Sequence, residues 1–406
     1  MNISGFTRSI TNFFKRVFRH RFRVTGKPLI KSGKYSPLVT RILTDAMLFN
    51  EVPSSPEQDS PRVEFILRKL NDFGISESYQ DEFGNVAVVI PAGSYSEKYV
   101  LLYTDIGTEQ YSPLESLVRL SETRATGMGI ADESLGVATL LTFIEQIHSR
   151  SIVFPHNVVC LFTHLSEEER EFLGLEHFLK NFPGSFQFAV YVTSIHQGIF
   201  EPKPLGQCKL VVRITTPEAG VLERPGIASS VNVLSNIAFQ LGAIQWDKEN
   251  ETIFNLAKID AGVGFGYYPS EGVLELEMFS MNPLVLDMMK NTAIGTIERI
   301  SQEAGAKVEI KIISHVPVGD PTLNVELQQI LKEVYGKLKI EERALAAPTK
   351  TAFINSYGIP AVTLGIAKGR KGKREEFIEI EPIEKGFHQL ELFLQLGMEA
   401  MELKEE

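Results

Sequence analysis

"HNVVCLFTHLSEEERE", residues 156–171, runs from an apolar stretch into four glutamates within five positions. Val158, Val159, Leu161 and Phe162 make a short continuous apolar run, the pattern of a strand buried on both faces. Glu167, Glu168, Glu169 and Glu171 then stand where that strand should end. Carboxylates at the carboxyl end of a parallel strand lie where open α/β sheets hold ligands and catalytic groups. Acids also collect at helix N-termini to complement the backbone dipole, and the helical pattern "GLEHFLKNF" follows immediately.

The surrounding chain repeats this strand-to-helix order. "GNVAVVIPAG" and "KYVLLYTDIG" read as two adjacent strands. "GMGIADESLGVATLLTFIEQI" places small residues and a carboxylate before an apolar-periodic helix, and "FAVYVTS" reads as a further strand. Strands alternating with helices imply a largely parallel sheet. Helical patterns at 36–48 and 60–73 precede this region.

Residues 208–314 change character. Strand "CKLVVRITT", a helix from Gly226 to Gly242, strands "IFNLAKID" and "VLELEMFS", a helix from Pro283 to Glu303 and strand "KVEIKIIS" give β-α-β-β-α-β, a ferredoxin-like order. Pro- and Gly-bearing stretches, "EPKPLG" and "PVGDP", bound it. The α/β pattern then resumes with "LNVELQQILKEVYGKL", "AVTLGIAKG" and a last helix from Glu384 to Leu403. The expected organisation is a basic segment at 1–35, a discontinuous α/β domain at 36–206 and 317–406, and an inserted domain at 207–316.

Composition sets outer limits. A chain of 406 residues, 43% hydrophobic and 23% charged, has the make-up of a globular protein with more than one core. Cys160 and Cys208, both among apolar neighbours, suggest neither a disulfide framework nor a thiolate metal site, which fits a reducing, cytoplasmic setting. Residues 1–44 hold ten Lys and Arg and no acid, leaving about −20 for the remainder of a chain whose net charge is −10. Within 6–24, Phe6, Ile10, Phe13, Phe14, Val17 and Phe18 share a helical face opposite Lys15, Arg16, Arg19 and Arg23. Such a helix could lie on an anionic membrane surface, act as a presequence, or dock on protein. No stretch is apolar enough to span a membrane. The basic loop "KGRKGKR", 368–374, lacks interleaved aromatics and reads as a solvated tip, so no nucleic-acid partner is expected.

Three carboxylate sites fall at strand exits: Asp105 after "VLLYT", Asp132 in "GIADESLG", and the glutamates after "LFTHLS". Such acids can converge on a divalent metal or supply a general base. Alternatively, Asp132 caps the following helix and the glutamates solvate a helix start. His164 and His196 are the two histidines at plausible sheet edges, and either is more often a surface or satisfied core residue than a ligand. "GVGFGYYP" precedes a strand, not a helix, and no nucleophile elbow, Walker loop or dinucleotide fingerprint is present.

The ordered set "DEFGNVAVVIPAG", "KYVLLYTDIGT", "GMGIADESLGVATLL", "FTHLSEEEREFLGLEHFL", "AGVGFGYYP", "YGIPAVTLGIAKG" and "EEFIEIEPIEKG" resembles the co-catalytic di-zinc exopeptidases and deacylases, which include aminoacylase, carboxypeptidase G, tripeptidase T and succinyl-diaminopimelate desuccinylase. The resemblance runs from about residue 60 to the end. It implies a zinc-exopeptidase-like α/β domain with a ferredoxin-like lid that often serves dimerisation, hence a homodimer. It also implies metal positions at Asp105, Asp132 and Glu169 and a general base at Glu168, with an offset to Glu167 and Glu168 left open.

This chain departs from that pattern at most reactive positions. Asp105 and Gly107 stand where the family has His-x-Asp, Thr193 or Ser194 where it has a zinc-binding acid, and the loop before Glu376 contains no histidine. Glu218, Phe279 and Gly266 stand where the lid supplies histidine, arginine and asparagine. Oxygen-only ligands suit Ca, Mg or Mn better than Zn, and without zinc a bound water is not activated near neutral pH. The expectation is a hydrolase-like protein with an eroded site, holding at most one divalent metal and acting in binding or regulation. The alternatives are an amide hydrolase with a rearranged or single-metal site, in which His164 or His196 could join the ligands, and a membrane-surface scaffold working through its basic helix.

Overall fold

The computed structural model describes residues 35–53, 60–107, 116–164, 172–201, 204–223, 226–246, 252–345, 350–372 and 375–402. The basic segment 6–24 and Glu167, Glu168 and Glu169 lie outside the described residues. The chain divides into two compact units, Met1–Thr40 and Arg41–Glu406. Helix α1 (Pro37–Asn50) starts in the first, where Pro37 takes the first helical position and Ser36 Oγ accepts from the Val39 amide at 3.3 Å.

The second unit continues with α2 (Ser60–Asp72), β1 (Tyr79–Gln80), β2 (Val86–Ile90), β3 (Lys98–Asp105), α3 (Leu135–Arg150), β4 (Asn157–Thr163), α4 (Leu173–Asn181) and β5 (Ser185–Thr193). After a separate sheet come α7 (Val325–Leu338), α8 (Lys350–Asn355), β10 (Ala361–Gly365) and α9 (Ile383–Glu402). The main sheet has the order β1-β2-β4-β3-β5-β10, and β4, β3, β5 and β10 are mutually parallel. These are the strands with continuous apolar runs, because helices cover both of their faces.

One expectation fails here. β2 and β3 are not adjacent, since β4 lies between them, antiparallel to β2 and parallel to β3. "VVCLF" of β4 is buried throughout and needs a central place, while the link "PAGSYSE" carries no tight-hairpin dipeptide and is long enough to step across a neighbouring strand.

The separate sheet contains β6 (Gly206–Thr215), α5 (Ser230–Ala243), β7 (Ile253–Ala261), β8 (Glu271–Ser280), α6 (Pro283–Glu303) and β9 (Lys307–Val316). Its order, β7-β8-β6-β9, is antiparallel throughout and gives the ferredoxin-like arrangement. Burial alternates along β8, and Leu274, Leu276 and Met278 join Leu210, Val212 and Ile214 of β6 under Leu234, Ile237, Met289 and Ile297 of the two helices. Asn282 starts α6 by accepting from the Leu284 and Val285 amides. The architecture is thus the expected mostly parallel α/β fold with an inserted ferredoxin-like layer. No helix among the described residues is long and apolar enough to cross a membrane.

Candidate functional site

The parallel strands deliver their last residues to one edge. Asp105 ends β3 and pairs in register with Thr163, the last residue of β4. Ile106 N donates to Thr163 O at 2.9 Å, and the buried Arg62 of α2 donates to Ile106 O at 2.6 Å, so the end of β3 is tied on two sides. Both Asp105 oxygens are engaged. Thr163 Oγ1 donates to Oδ1, Tyr191 of β5 donates to Oδ2 at 3.0 Å, and Lys350 Nζ, from the first residue of α8, forms an ion pair with Oδ2. The Asp105 side chain is 2% exposed and that of Lys350 15%.

Asp132 enters from a different local structure. Residues Ile130–Ser134 form a single π-helical turn after Gly129, whose φ of 89° favours glycine. Glu376 holds this turn, accepting from the Ala131 amide at 2.7 Å through Oε1, while Gly127 N donates to the Glu376 carbonyl. The helix behind it, α3, is capped by the residue that follows β5, because Ser194 Oγ accepts from Leu135 N at 3.0 Å and Gly136 N at 3.2 Å. A Cβ at Gly136 would come within 2.8 Å of Thr104 Oγ1 and Val192 O, so only glycine lets α3 approach the sheet this closely. Asp132 therefore does not cap the helix, contrary to the alternative drawn from sequence. Its Oδ1 instead takes the Lys371 ammonium at 2.6 Å, across 239 residues of sequence.

Asp132, Glu133, Tyr191, His196, Lys350 and Lys371 line one cleft of about 290 Å³. Burial holds the Glu133 carboxyl well above the usual carboxylate range, and repulsion from Asp132 adds to this. The Tyr191 oxygen lies 3.2 Å from both Glu133 oxygens. A phenol has one hydrogen, so a protonated Glu133 can donate to Tyr191 while Tyr191 donates to Asp105. Burial also raises the Tyr191 hydroxyl well above its ordinary value, which keeps that hydrogen in place. Burial draws the Lys350 amine below the lysine range and Lys371 repels it further, while the Asp105 carboxylate it touches works in the opposite direction. His196 has a left-handed φ of 78°, and burial followed by Lys371 lowers its imidazole.

The cleft brings together Asp132 and His196 of the residues singled out from sequence, and Asp105 reaches it through Tyr191 and Lys350. His164 donates its amide to Asn85 Oδ1 at 3.0 Å. Of the two positions at one of which the family pattern has a zinc-binding acid, Thr193 lines the cleft and Ser194 caps α3. Glu218, Phe279 and Gly266 belong to the inserted layer and are not among the residues lining the cleft. Sequence reading missed Glu133, Tyr191, Lys350 and Lys371. The basic loop 368–374 was the one available signal: Lys368–Lys371 are exposed, as a solvated tip should be, and Lys371 in addition reaches Asp132.

The profile of peptidase family M20/M25/M40 matches residues 109–396. No curated protein matches the chain in sequence. Among solved structures, the di-peptidase Dug1p from Saccharomyces cerevisiae superposes with a TM-score of 0.68 at 14% identity, covering 89% of this chain and 98% of that one. A tripeptidase from Staphylococcus aureus gives 0.67 at 16% identity, with 89% and 99% covered. A protein from Bacillus subtilis described as a dinuclear metal binding peptidase of the M20 family gives 0.61 at 14% identity, with 89% and 99% covered. At these identities the likeness is one of fold.

The described residues do not fit a dinuclear zinc centre. Asp105 has both oxygens occupied by Thr163, Tyr191 and Lys350, and Asp132 is bound to an ammonium. Among the described residues, no three His, Cys, Asp or Glu side chains converge to hold a metal ion. Zinc sites draw on imidazole or thiolate, and among the described residues lining the cleft the positive-φ His196 is the one such group.

Proposed function

The chain belongs to peptidase family M20/M25/M40, and from that premise we propose that it is a metallopeptidase-like hydrolase fold that has given up metal-dependent amide hydrolysis and works by binding a ligand or partner at the cleft. One observation carries this reading: Asp105, standing where the family resemblance requires a zinc-binding imidazole, is consumed by Thr163, Tyr191 and Lys350. A hydrolase of this kind needs a metal to lower the pKa of its water and to polarise the carbonyl, and the two described carboxylates at metal positions, Asp105 and Asp132, are engaged with lysines. The inserted layer is proposed to serve self-association, checked by sedimentation velocity of the full chain.

The test is hydrolysis of a panel of dipeptides, tripeptides and N-acyl amino acids with Zn, Mn or Co added, followed by thermal-shift screening of the same compounds. Binding without turnover is the expected result. Turnover that a chelator abolishes and added metal restores would overturn the proposal in favour of a rearranged metal site.

A further inference from the structure

The cleft carboxylates need countercharge whether or not the protein is an enzyme. A buried, ionised carboxylate without a partner costs several kcal/mol, and a family that builds its site from such groups meets that cost with metal ions. In this chain two lysines arrive at the same carboxylates from two unrelated segments. Lys350 opens α8 and reaches Asp105, with its ammonium 4.8 Å from the Tyr191 ring and 6.0 Å from the Phe172 ring. Thr351, the next residue, donates to Glu201 Oε2 at 2.8 Å, which fixes the start of α8 against the cleft wall. Lys371 comes from the loop between the short strands Gly369–Arg370 and Phe377–Glu379 and reaches Asp132.

We propose that Lys350 and Lys371 are built-in replacements for the two metal ions, one ammonium for Asp105 and one for Asp132, so that these two carboxylates carry their countercharge without metal. The inference deepens the proposal of a non-hydrolytic binding cleft and rests on it for the cleft's use, but not for its chemistry. The consequence is a change in what the cleft offers. A ligand oxygen that a metal would coordinate meets N–H donors instead, and those donors cannot be removed by a chelator.

The test is zinc and manganese uptake by the full chain, measured by elemental mass spectrometry after equilibrium dialysis and by thermal shift. The proteins compared are the wild type, Lys371→Ala, Lys350→Ala/Lys371→Ala, and each variant combined with neutralisation of its partner, Asp132→Asn or Asp105→Asn. The wild type should stay essentially metal-free with no metal-dependent shift. Uptake by the lysine variants should rise to about one equivalent, because the freed carboxylate oxygens become open to a divalent cation. Where a lysine variant folds poorly or takes up no metal, recovery of its melting temperature on neutralising the partner carboxylate supports the same conclusion.

Stoichiometric metal in the wild type, lost in Asp132→Asn, would overturn the inference. So would lysine variants that neither gain metal nor lose stability. The two proposals fail separately: metal-free wild type that hydrolyses peptides breaks the binding reading alone, and metal-loaded wild type that hydrolyses nothing breaks this one alone.

Discussion

The inner and outer ends of the cleft hold the same chemical pair in opposite surroundings. Asp105 and Lys350 are 2% and 15% exposed, and Thr163 and Tyr191 complete the hydrogen bonding of the carboxylate. Asp132 is also buried at 8%, but its lysine is 51% exposed on a surface loop. A buried pair whose lone pairs are all met is part of the fold's interior, whereas a pair with one partner in water is screened and replaceable by solvent. The difference teaches that countercharge at the inner end is structural, while at the outer end it is adjustable.

The sharpest way to break this contrast is Lys350→Ala. Removing one member of a buried pair strands the other, so a loss of about 3–5 kcal/mol is expected by chemical denaturation. Lys350→Met combined with Asp105→Asn should recover much of that loss, because no charge is left unpaired. If Lys350→Ala costs no more than Lys371→Ala, the distinction between the two ends disappears.

Tyr191→Phe probes the link between the ends, since its hydroxyl meets both Asp105 and Glu133. The ring still fills the same space, against Tyr103 at 5.1 Å, so the loss isolates the hydrogen bonds. About 1–3 kcal/mol is expected, smaller than for Lys350→Ala because Asp105 keeps Thr163 and its ammonium. The measurement is again a denaturation midpoint, and a neutral result would mean that the phenol is not holding the carboxylates in place.

The contrast also explains what could be read from sequence. The inserted layer was legible because its strands alternate: Leu274, Leu276 and Met278 face the helices and the residues between them do not. The parallel strands were legible as apolar runs, but their order was not, because burial on both faces says only that β4 is central and not which strands flank it. Asp105 and Asp132 were legible as carboxylates at strand exits. Their partners were not, because Lys350 and Lys371 lie 245 and 239 positions away and no periodicity encodes such a meeting. Glu133 sat beside Asp132 in plain view, but the burial that raises its carboxyl is created only by the folded turn.

Glu376→Gln tests a carboxyl behind the outer end. Burial raises Glu376 above the ordinary carboxylate value, and its Oε2 has no partner among the described residues. A carboxyl raised in the folded state binds its proton more tightly there than when unfolded. Its contribution is therefore fully present below the unfolded value near pH 4.5 and declines as pH rises through the folded value. Glutamine keeps an acceptor for the Ala131 amide and removes the proton, so the variant's stability profile should be flatter on that rising side. Parallel wild-type and variant profiles would mean that Glu376 is ionised in the folded protein.

Lys371→Ala should have the smallest effect on stability, and its size is informative because Asp132 remains buried. An exposed lysine contributes about 0–1 kcal/mol to such a pair, and water can enter from the loop side to solvate the carboxylate once the lysine is gone. The expected loss falls in that range and shrinks as ionic strength rises, since the Lys371 charge is open to screening. Thermal denaturation at low and high salt measures both. A loss as large as that of Lys350→Ala, unchanged by salt, would mean that the loop seals the cleft and that Lys371 is buried when it counts. The outer end would then be as structural as the inner one, and ligand entry would require the loop to swing away with its lysine.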